Sequence, residues 1–297
     1  MSALTARLAG RFAHEALALG AGEVCALRRR GFYLRFPGGR FACIGDATLG
    51  GGPLNALVDA LPAVALGQEW TVDTVRAEPW KPPDSNGAFP DNASAIARAG
   101  VPRAPAEGLA CLIAGSHNPL SVHAQPALEA LERWLVGNAL SAEAEALIGL
   151  GPGVTAPGDD YLGGLIAGSH NPLSVHAQPA LEALERWLVG NALSAEAEAL
   201  IGLGPGVTAP GDDYLGGVLV ALRLAGRGAQ AASLWRWLAP RLAGRTREIS
   251  AAHLAAAAAG EAQEALHQVL NGEPAFDALD AAGWDGLAGA LAVAKTY

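Results

Sequence analysis

The sequence predicts an α+β fold in which a small β-containing N-terminal part, residues 1–92, precedes a larger and mostly helical part, residues 93–297. Three observations lead to this prediction. Aromatic and β-branched residues bracket a Pro-Gly-Gly turn between residues 31 and 45, which is the pattern of a β-hairpin. Later in the chain, apolar residues recur at helical spacing. The segment between these regions, residues 78–92, is rich in Pro, Gly, Asn and Asp and is typical of a loop or domain boundary.

The N-terminal part begins with residues 1–20, whose pattern predicts an amphipathic helix interrupted by charged residues. The hairpin follows, with predicted strands Gly31–Phe36 and Arg40–Gly45 on either side of the turn. The basic run at residues 28–30 is short and flanked by strand-like residues, so we interpret it as a solvated strand face rather than an anion site. Residues 54–61 form an apolar stretch that predicts a short helix.

The helical part contains a stripe of apolar residues at helical spacing, which predicts a buried helix face rather than a ligand platform. The stripe consists of Leu181, Leu184, Trp187 and Leu188, with twins at Leu128, Leu131, Trp134 and Leu135. Four further helices are predicted, at residues 212–225, 229–239, 250–271 and 275–295, the last with a break near Gly283.

The composition of the chain narrows the classes of function. With 20 Lys and Arg against 29 Asp and Glu, the net charge is −9, which disfavours nucleic-acid binding because a phosphate backbone rewards clustered basic side chains. No uncharged apolar run approaches the ~18 residues of a membrane span, and no secretory signal pattern is visible. The three cysteines, Cys25, Cys43 and Cys111, lack metal-site spacing and are expected to be reduced thiols. We therefore expect a cytoplasmic protein that binds neither nucleic acid nor a membrane.

An internal duplication dominates the helical part, since residues 112–164 recur without a change as residues 165–217. Solenoid repeats drift in sequence and need about three or more units to bury a continuous core, so two identical copies do not indicate a repeat fold. We expect one copy to occupy the core and the other to be surplus. The second copy is favoured, because the helix at its end continues to residue 225, whereas the first copy runs into Pro172. Exchange of the surplus copy between chains would produce a homodimer.

The candidate chemistry lies in a glycine-rich loop that leads into Asp212 and Asp213. Four glycines and two prolines within residues 202–211 predict a tightly turning backbone that a ligand can approach closely. The following helix offers free N–H groups and the positive end of its dipole, which favour an anion such as a phosphate or carboxylate. The two aspartates fit a Mg²⁺ site, and one of them fits a general base. A structural alternative stays open, because the same residues also make a helix N-terminus with acids in its first turn.

The loop, residues 201–217 with the sequence IGLGPGVTAPGDDYLGG, resembles the signature of the AllH-like family. Residues 246–261, a helix led by Thr246, and residues 283–289, GWDGLAG, are similar to two further elements of that family. The family includes a subunit of oxamate carbamoyltransferase, which interconverts oxalurate and phosphate with oxamate and carbamoyl phosphate in allantoin and purine breakdown. The resemblance therefore implies a carbamoyltransferase subunit that works with other subunits on a small anionic substrate, either carbamoyl phosphate or an oxamate-like molecule.

The resemblance also implies roles for individual residues. Those expected to hold a phosphate or carboxylate are the backbone amides of Gly204, Gly206 and Gly211 and the hydroxyl of Thr208. Asp212 and Asp213 would bind Mg²⁺ or orient the carbamoyl nitrogen, and Asp285 would approach the same cleft as a third catalytic residue. The corresponding residues of the first copy are Gly151, Gly153, Thr155, Gly158, Asp159 and Asp160.

Two other functions stay open at this point. The chain would be a non-catalytic assembly subunit if the Asp-Asp loop only caps a helix and docks on partner chains; buried carboxylates without a ligand site would favour this. It would be a standalone metal-dependent amide hydrolase if it activated a metal-bound water, although its His and Cys residues lack the spacing of such a site. His253 lies alone on an apolar helix, and we expect it to be a structural residue.

Overall fold

The computed structural model describes residues 2–105, 108–114, 173–189 and 195–296. Strands lie in the N-terminal part and helices in the C-terminal part, which confirms the predicted α+β class. The division into two domains at residue 92 stays a prediction. From residue 115 onward the first copy of the duplicated segment lies outside the described residues, and so do the twin stripe and the twin loop residues Gly151, Gly153, Thr155, Gly158, Asp159 and Asp160. The choice between the copies and their exchange between chains also stay predictions.

A β-barrel forms the N-terminal part. The strands are β1 Ser2–Ala9, β2 Gly22–Arg28, β3 Gly31–Phe36, β4 Arg40–Gly45, β5 Asn55–Val58, β6 Glu69–Asp73 and β7 Glu78–Pro79. Their hydrogen-bonded order is β5-β4-β3-β2-β6-β1-β7, and antiparallel pairing of β1 with β5 closes the ring of the first six. The predicted hairpin is confirmed as β3 and β4, which pair antiparallel.

Two sequence predictions in this part are wrong. Residues 2–9 form a strand, and only Arg11–Leu17 is helical, as α1. The apolar stretch predicted as a helix contains strand β5. Both strands find backbone partners elsewhere in the barrel, β1 on β5 and β6 and β5 on β4. Such cross-strand pairing overrides a weak local preference for helix.

The C-terminal part is built from helices. They are α2 Phe89–Gly100, α3 Leu173–Leu188, α4 Pro210–Leu224, α5 Gly228–Leu238, α6 Glu248–Ala258, α7 Glu264–Leu270 and α8 Ala281–Ala294. Short 3-10 helices occur at Ala47–Leu49, Ala110–Ala114, Ala195–Leu200, Ala239–Arg241 and Phe276–Ala278. The predicted stripe is confirmed, because α3 buries Leu181, Leu184, Trp187 and Leu188. None of the described helices is long and apolar enough to span a membrane.

The two last predicted helices need correction. The prediction of a single helix at residues 250–271 is wrong, because the two helices α6 and α7 occupy this stretch. The chain turns between them at Gly260, whose φ of 90° is a left-handed conformation typical of the residue that ends a helix. The helix predicted from residue 275 begins only at Ala281, after Asp280 accepts a hydrogen bond from the Gly283 N–H as its N-cap.

Helices α4 and α8 cross in direct backbone contact. A Cβ atom at Gly217 would overlap the carbonyl oxygen of Gly286, and one at Gly289 would overlap that of Tyr214. Only glycine allows such an approach. This crossing places the first turn of α4, which carries Asp212 and Asp213, beside the start of α8.

The barrel and the helices share one apolar interface. Tyr33, Phe41, Cys43 and Leu54 of the barrel side form a buried cluster with Ile249 and Ala256 of α6. Polar contacts surround it: Arg11 of α1 forms an ion pair with Glu261 at 2.6 Å, and the Gly51 N–H donates to Glu264 Oε2 at 2.9 Å. No disulfide joins the three cysteines in the described part of the chain; Cys43 and Cys111 are buried and Cys25 is partly exposed.

Candidate functional site

A cavity of ≈ 100 Å³ lies between the barrel and the helices. This volume exceeds the ~10–15 Å³ that holds one water several times over, so a small polar molecule fits. The polar side chains that line it are Arg28, Tyr33, Asn55, Thr208, Asp212, Asp213, Ser250, His253, Glu261, Gln263 and Asp280. The cavity therefore contains the predicted aspartates of the second copy, together with side chains from the barrel.

The glycines of the loop serve its turns and its packing. Gly202, Gly204 and Gly206 have φ of 71°, 96° and 126°, which L side chains rarely adopt. A Cβ at Gly211 would overlap the carbonyl oxygen of Leu200. Of the predicted ligand-binding residues, Thr208 lines the cavity, whereas Gly204, Gly206 and Gly211 do not belong to its lining.

Several loop amides are already used inside the protein. Four N–H groups donate to internal acceptors: Gly202 to Asp212 Oδ1 (2.9 Å), Ala209 to Ser250 Oγ (3.2 Å), Gly211 to the Leu203 carbonyl (3.0 Å) and Asp213 to the Ala209 carbonyl (3.0 Å). Because these donors are occupied, they offer nothing to an anion in the cavity. Of the predicted amide cradle, Gly211 is among these occupied donors, and the cradle itself stays a prediction.

Asp212 is tied into the protein by both carboxylate oxygens. Its Oδ1 accepts from the Gly202 N–H, and its Oδ2 accepts from the hydroxyl of Thr246, just before α6. The residue is only 2% exposed. Burial raises the pKa of Asp212, while the hydrogen bonds from Thr246, Gly202 and Ser250 oppose that rise. Asp212 thus fastens the loop to the start of α6. It also lies in the first turn of α4, as the structural alternative predicted, although no side chain caps that helix.

Asp213, the next residue, faces the cavity. Its Oδ2 accepts from Thr208 Oγ1 at 2.9 Å, and its side chain is partly exposed. Burial raises the pKa of Asp213 well above its usual range, and repulsion from Asp285, Asp280 and Asp212 adds to that rise. A carboxyl group whose pKa is shifted upward exchanges a proton more readily near neutral pH, as a general acid or base must.

Asp285 faces away from the cavity lining. Its Oδ1 accepts from the N–H groups of Leu109 at 2.6 Å and Ala110 at 2.9 Å, and the residue is 3% exposed. Burial raises the pKa of Asp285 to about 7. The start of α8 reaches the cavity through Asp280 instead, a residue that the sequence reasoning did not select.

A chain of hydrogen bonds links Asp280 to His253 across the cavity. Arg28 Nη2 donates to Asp280 Oδ2 at 3.1 Å, Arg28 Nη1 donates to the Tyr33 hydroxyl at 3.3 Å, and that hydroxyl lies 2.8 Å from His253 Nε2. The interpretation of Arg28 as part of a solvated strand face is therefore wrong. Burial lowers the pKa of His253 to about 4, so its ring is neutral at physiological pH. His253 has a structural partner, as expected, but it also lines the cavity.

No local pattern in the sequence predicts that Arg28 and Tyr33 lie close to Asp280. Arg28 and Tyr33 lie on barrel strands some 250 residues before Asp280 in the chain, and only the tertiary fold brings them together. The one signal that was available is the position of Asp280 directly before a helical stretch, which is typical of an N-cap.

The arrangement does not fit the predicted Mg²⁺ pair. Both oxygens of Asp212 accept hydrogen bonds from the protein, whereas Asp213 bonds to Thr208 on the cavity side. Within the described part of the chain, no group of three or more His, Cys, Asp and Glu residues is placed to hold a metal ion. Mg²⁺ binding stays a prediction without support from this geometry.

Comparison with protein families gives a match within the helical part. Residues 200–280 match the model of the family oxamate carbamoyltransferase subunit AllH, which confirms the resemblance drawn from the loop. The matched span contains Thr208, Asp213 and His253 and ends at Asp280, whereas the barrel and its Arg28 lie outside it. No curated protein and no solved structure matches the chain.

Proposed function

We propose that the chain is a subunit of a carbamoyltransferase of the oxamate carbamoyltransferase type and that its cavity holds a small anionic substrate. The supporting observation is the pair Thr208 and Asp213, which lies on the cavity wall and within the residues that match the family. This function belongs to allantoin and purine breakdown in the cytoplasm, and the family's description as a subunit implies that other subunits take part.

Asp213 is the residue proposed to handle a proton. Transfer of a carbamoyl group from carbamoyl phosphate to an amide nitrogen forms a C–N bond, breaks the C–O bond to phosphate and releases one proton from the nitrogen. Thr208 holds Asp213 Oδ2, and no described residue bonds to Oδ1. Asp213 Oδ1 is therefore free to accept that proton, provided the amide lies within hydrogen-bond distance of it.

A second candidate is the non-catalytic assembly subunit. Its support comes from Asp212 and Asp285, two buried carboxylates whose hydrogen bonds go to the protein itself. A standalone metal-dependent hydrolase has no comparable support, because the described residues provide no metal cluster.

Thermal unfolding of the full chain with oxamate or carbamoyl phosphate tests the proposal. A ligand that binds only the folded chain stabilises it by about 2.7 kcal/mol when its concentration is roughly a hundred times the Kd. We expect the ligand to raise the midpoint of the unaltered chain. For Asp213→Asn the rise should be lost, because the one acceptor oxygen of Asn stays with Thr208 and its NH2 group then meets the N–H of the ligand amide. The matched control is Asp160→Asn, the identical change in the identical sequence of the first copy, which should retain the ligand response.

Two results would redirect the proposal. If neither ligand raises the midpoint of the unaltered chain, the cavity is not a substrate site and the assembly-subunit candidate is preferred. If Asp160→Asn abolishes the response while Asp213→Asn preserves it, the first copy carries the site.

A further inference from the structure

We infer that Arg28 is the ligand-binding cation of the cavity and that Asp280 occupies it in the free protein, so that the carboxylate of an incoming ligand replaces Asp280 on the guanidinium. This inference rests on the proposed function only in assuming that the cavity binds a small anion. It assigns the recognition of that anion to the barrel, which lies outside the residues that match the family.

The charge of the cavity requires such a cation. Arg28 is the only Lys or Arg among the described lining residues, which also include the carboxyl groups of Asp212, Asp213, Glu261 and Asp280. An anion in a partly buried site is costly unless a positive group or several donors compensate it. The four loop amides described above are already occupied, and the guanidinium of Arg28 is the one Lys or Arg group among the described lining residues that can neutralise a ligand.

The geometry of Arg28 suits exchange of its partner. Its side chain is 26% exposed and that of Asp280 is 38% exposed, so a small solute can reach both. The guanidinium is held on its other side by the Tyr33 hydroxyl, and its planar fork of five donors matches a carboxylate in two-point contact. One carboxylate can therefore replace another without displacing the arginine.

Asp280 does not depend on Arg28 for its hydrogen bonds. Its Oδ1 accepts from the Gly283 N–H at 2.9 Å and from Gln263 Nε2 at 3.2 Å, and these contacts remain when Arg28 turns to a ligand. The exchange thus swaps one partly exposed ion pair for another of the same kind. Asp280 acts as an internal competitor, and its charge sets how tightly an external carboxylate binds.

Tyr33 and His253 are positioning residues for this cation. The Tyr33 hydroxyl accepts from Arg28 and lies 2.8 Å from His253 Nε2, so the hydroxyl proton can be donated to the ring nitrogen. Both side chains sit in the interface between barrel and α6, where Tyr33 is 1% exposed. This buried contact holds the guanidinium at the cavity edge.

Calorimetric titration of the full chain tests the inference with two probes. Oxamate carries a carboxylate and an amide, whereas oxamide is a neutral diamide of similar size. We expect Arg28→Gln to weaken oxamate binding by about tenfold or more, because a charge-assisted contact is lost. Asp280→Asn should strengthen oxamate binding by about threefold, because the internal competitor loses its charge. Binding of oxamide should change little in either variant.

The variants include controls for folding. Asn is as good an N-cap as Asp, so Asp280→Asn keeps the start of α8. Arg28→Gln leaves Asp280 without its ion-pair partner, and the double variant Arg28→Gln with Asp280→Asn removes both charges together. Arg35→Gln is the matched control, since Arg35 lies on the neighbouring strand in an exposed ion pair with Glu23 and should leave binding unchanged.

The outcomes separate this inference from the proposed function. If Asp280→Asn weakens oxamate binding, or if Arg28→Gln behaves like Arg35→Gln, the inference is overturned. If Asp213→Asn abolishes oxamate binding while Arg28→Gln preserves it, the proposed function stands and only the role of Arg28 is lost. If the unaltered chain binds neither oxamate nor carbamoyl phosphate, both are overturned.

Discussion

The first turn of α4 has an inner side and a cavity side, and the neighbouring residues Asp212 and Asp213 have different roles on them. On the inner side, Asp212 accepts hydrogen bonds from Gly202 and Thr246 with both oxygens and holds the loop against α6, although its side chain also borders the cavity. On the cavity side, Asp213 bonds to Thr208 through Oδ2, and no described residue bonds to its Oδ1. Successive residues of a helix point about 100° apart, so neighbouring side chains enter different surroundings. Within one motif, therefore, Asp212 has a structural role and Asp213 is available for chemistry.

The first prediction concerns the crossing of α4 and α8, which supports the first turn of α4. Gly217→Ala places a Cβ in the carbonyl of Gly286, and we expect the free energy of unfolding to fall by about 3 kcal/mol. At the adjacent Gly216, a Cβ would lie 3.6 Å from Ala257 Cβ, an ordinary contact. Gly216→Ala should therefore raise the free energy of unfolding by roughly 0.5–1 kcal/mol. Urea denaturation measures both, and equal effects would show that the two backbones are not in contact.

The second prediction tests the difference between Asp212 and Asp213 through the stability of their variants. Asp212→Asn replaces a carboxylate oxygen by an amide group that cannot accept a hydrogen bond, so we expect a loss of about 2 kcal/mol. Asp213→Asn keeps an acceptor for Thr208 and removes a carboxyl whose ionisation the fold disfavours, so stability at pH 8 should be unchanged or higher. Denaturant unfolding measures the free energy of unfolding of both variants, with Asp159→Asn as the control in the first copy. A similar loss for Asp212→Asn and Asp213→Asn would end the distinction between the two sides.

The third prediction uses the pH dependence of Asp285. Its pKa is about 7 in the folded chain against an ordinary value of 3.8, so the folded chain binds more protons between those two values. Stability contributed by this group therefore falls as pH rises through that window, at up to about 1.4 kcal/mol per pH unit. Asp285→Asn cannot ionise, and its free energy of unfolding relative to the unaltered chain should rise by on the order of 2 kcal/mol across the window.

The control for that measurement is internal. Burial lowers the pKa of both His253 and His267 to about 4, which gives a pH dependence of opposite sign. Both histidines are present in the variant and in the unaltered chain, so their contributions cancel in the difference. Parallel stability curves between pH 4 and pH 7 would mean that the carboxyl of Asp285 ionises freely in the folded protein.

Much of the fold could be predicted from local patterns. The hairpin of β3 and β4, the buried stripe of α3 and the helix that follows Asp212 all follow from short-range periodicity and turn residues. Strands β1 and β5 could not be predicted, because their extended conformation depends on partners that lie far away in the chain. The break between α6 and α7 was missed because Gly260 ends a run of alanines that otherwise favours a continuing helix.

By itself, the sequence determined the α+β class, the position of the Asp-Asp loop and the resemblance of that loop to a carbamoyltransferase family. Only the tertiary structure decided that Asp213, unlike Asp212, keeps an oxygen without a partner among the described residues. It also decided that Asp285 is turned to Leu109 and Ala110 and that Arg28 forms an ion pair with Asp280. The physical reason is the range of the interactions. Helices, turns and caps arise from residues a few positions apart, whereas a cavity forms where the barrel and helices pack together.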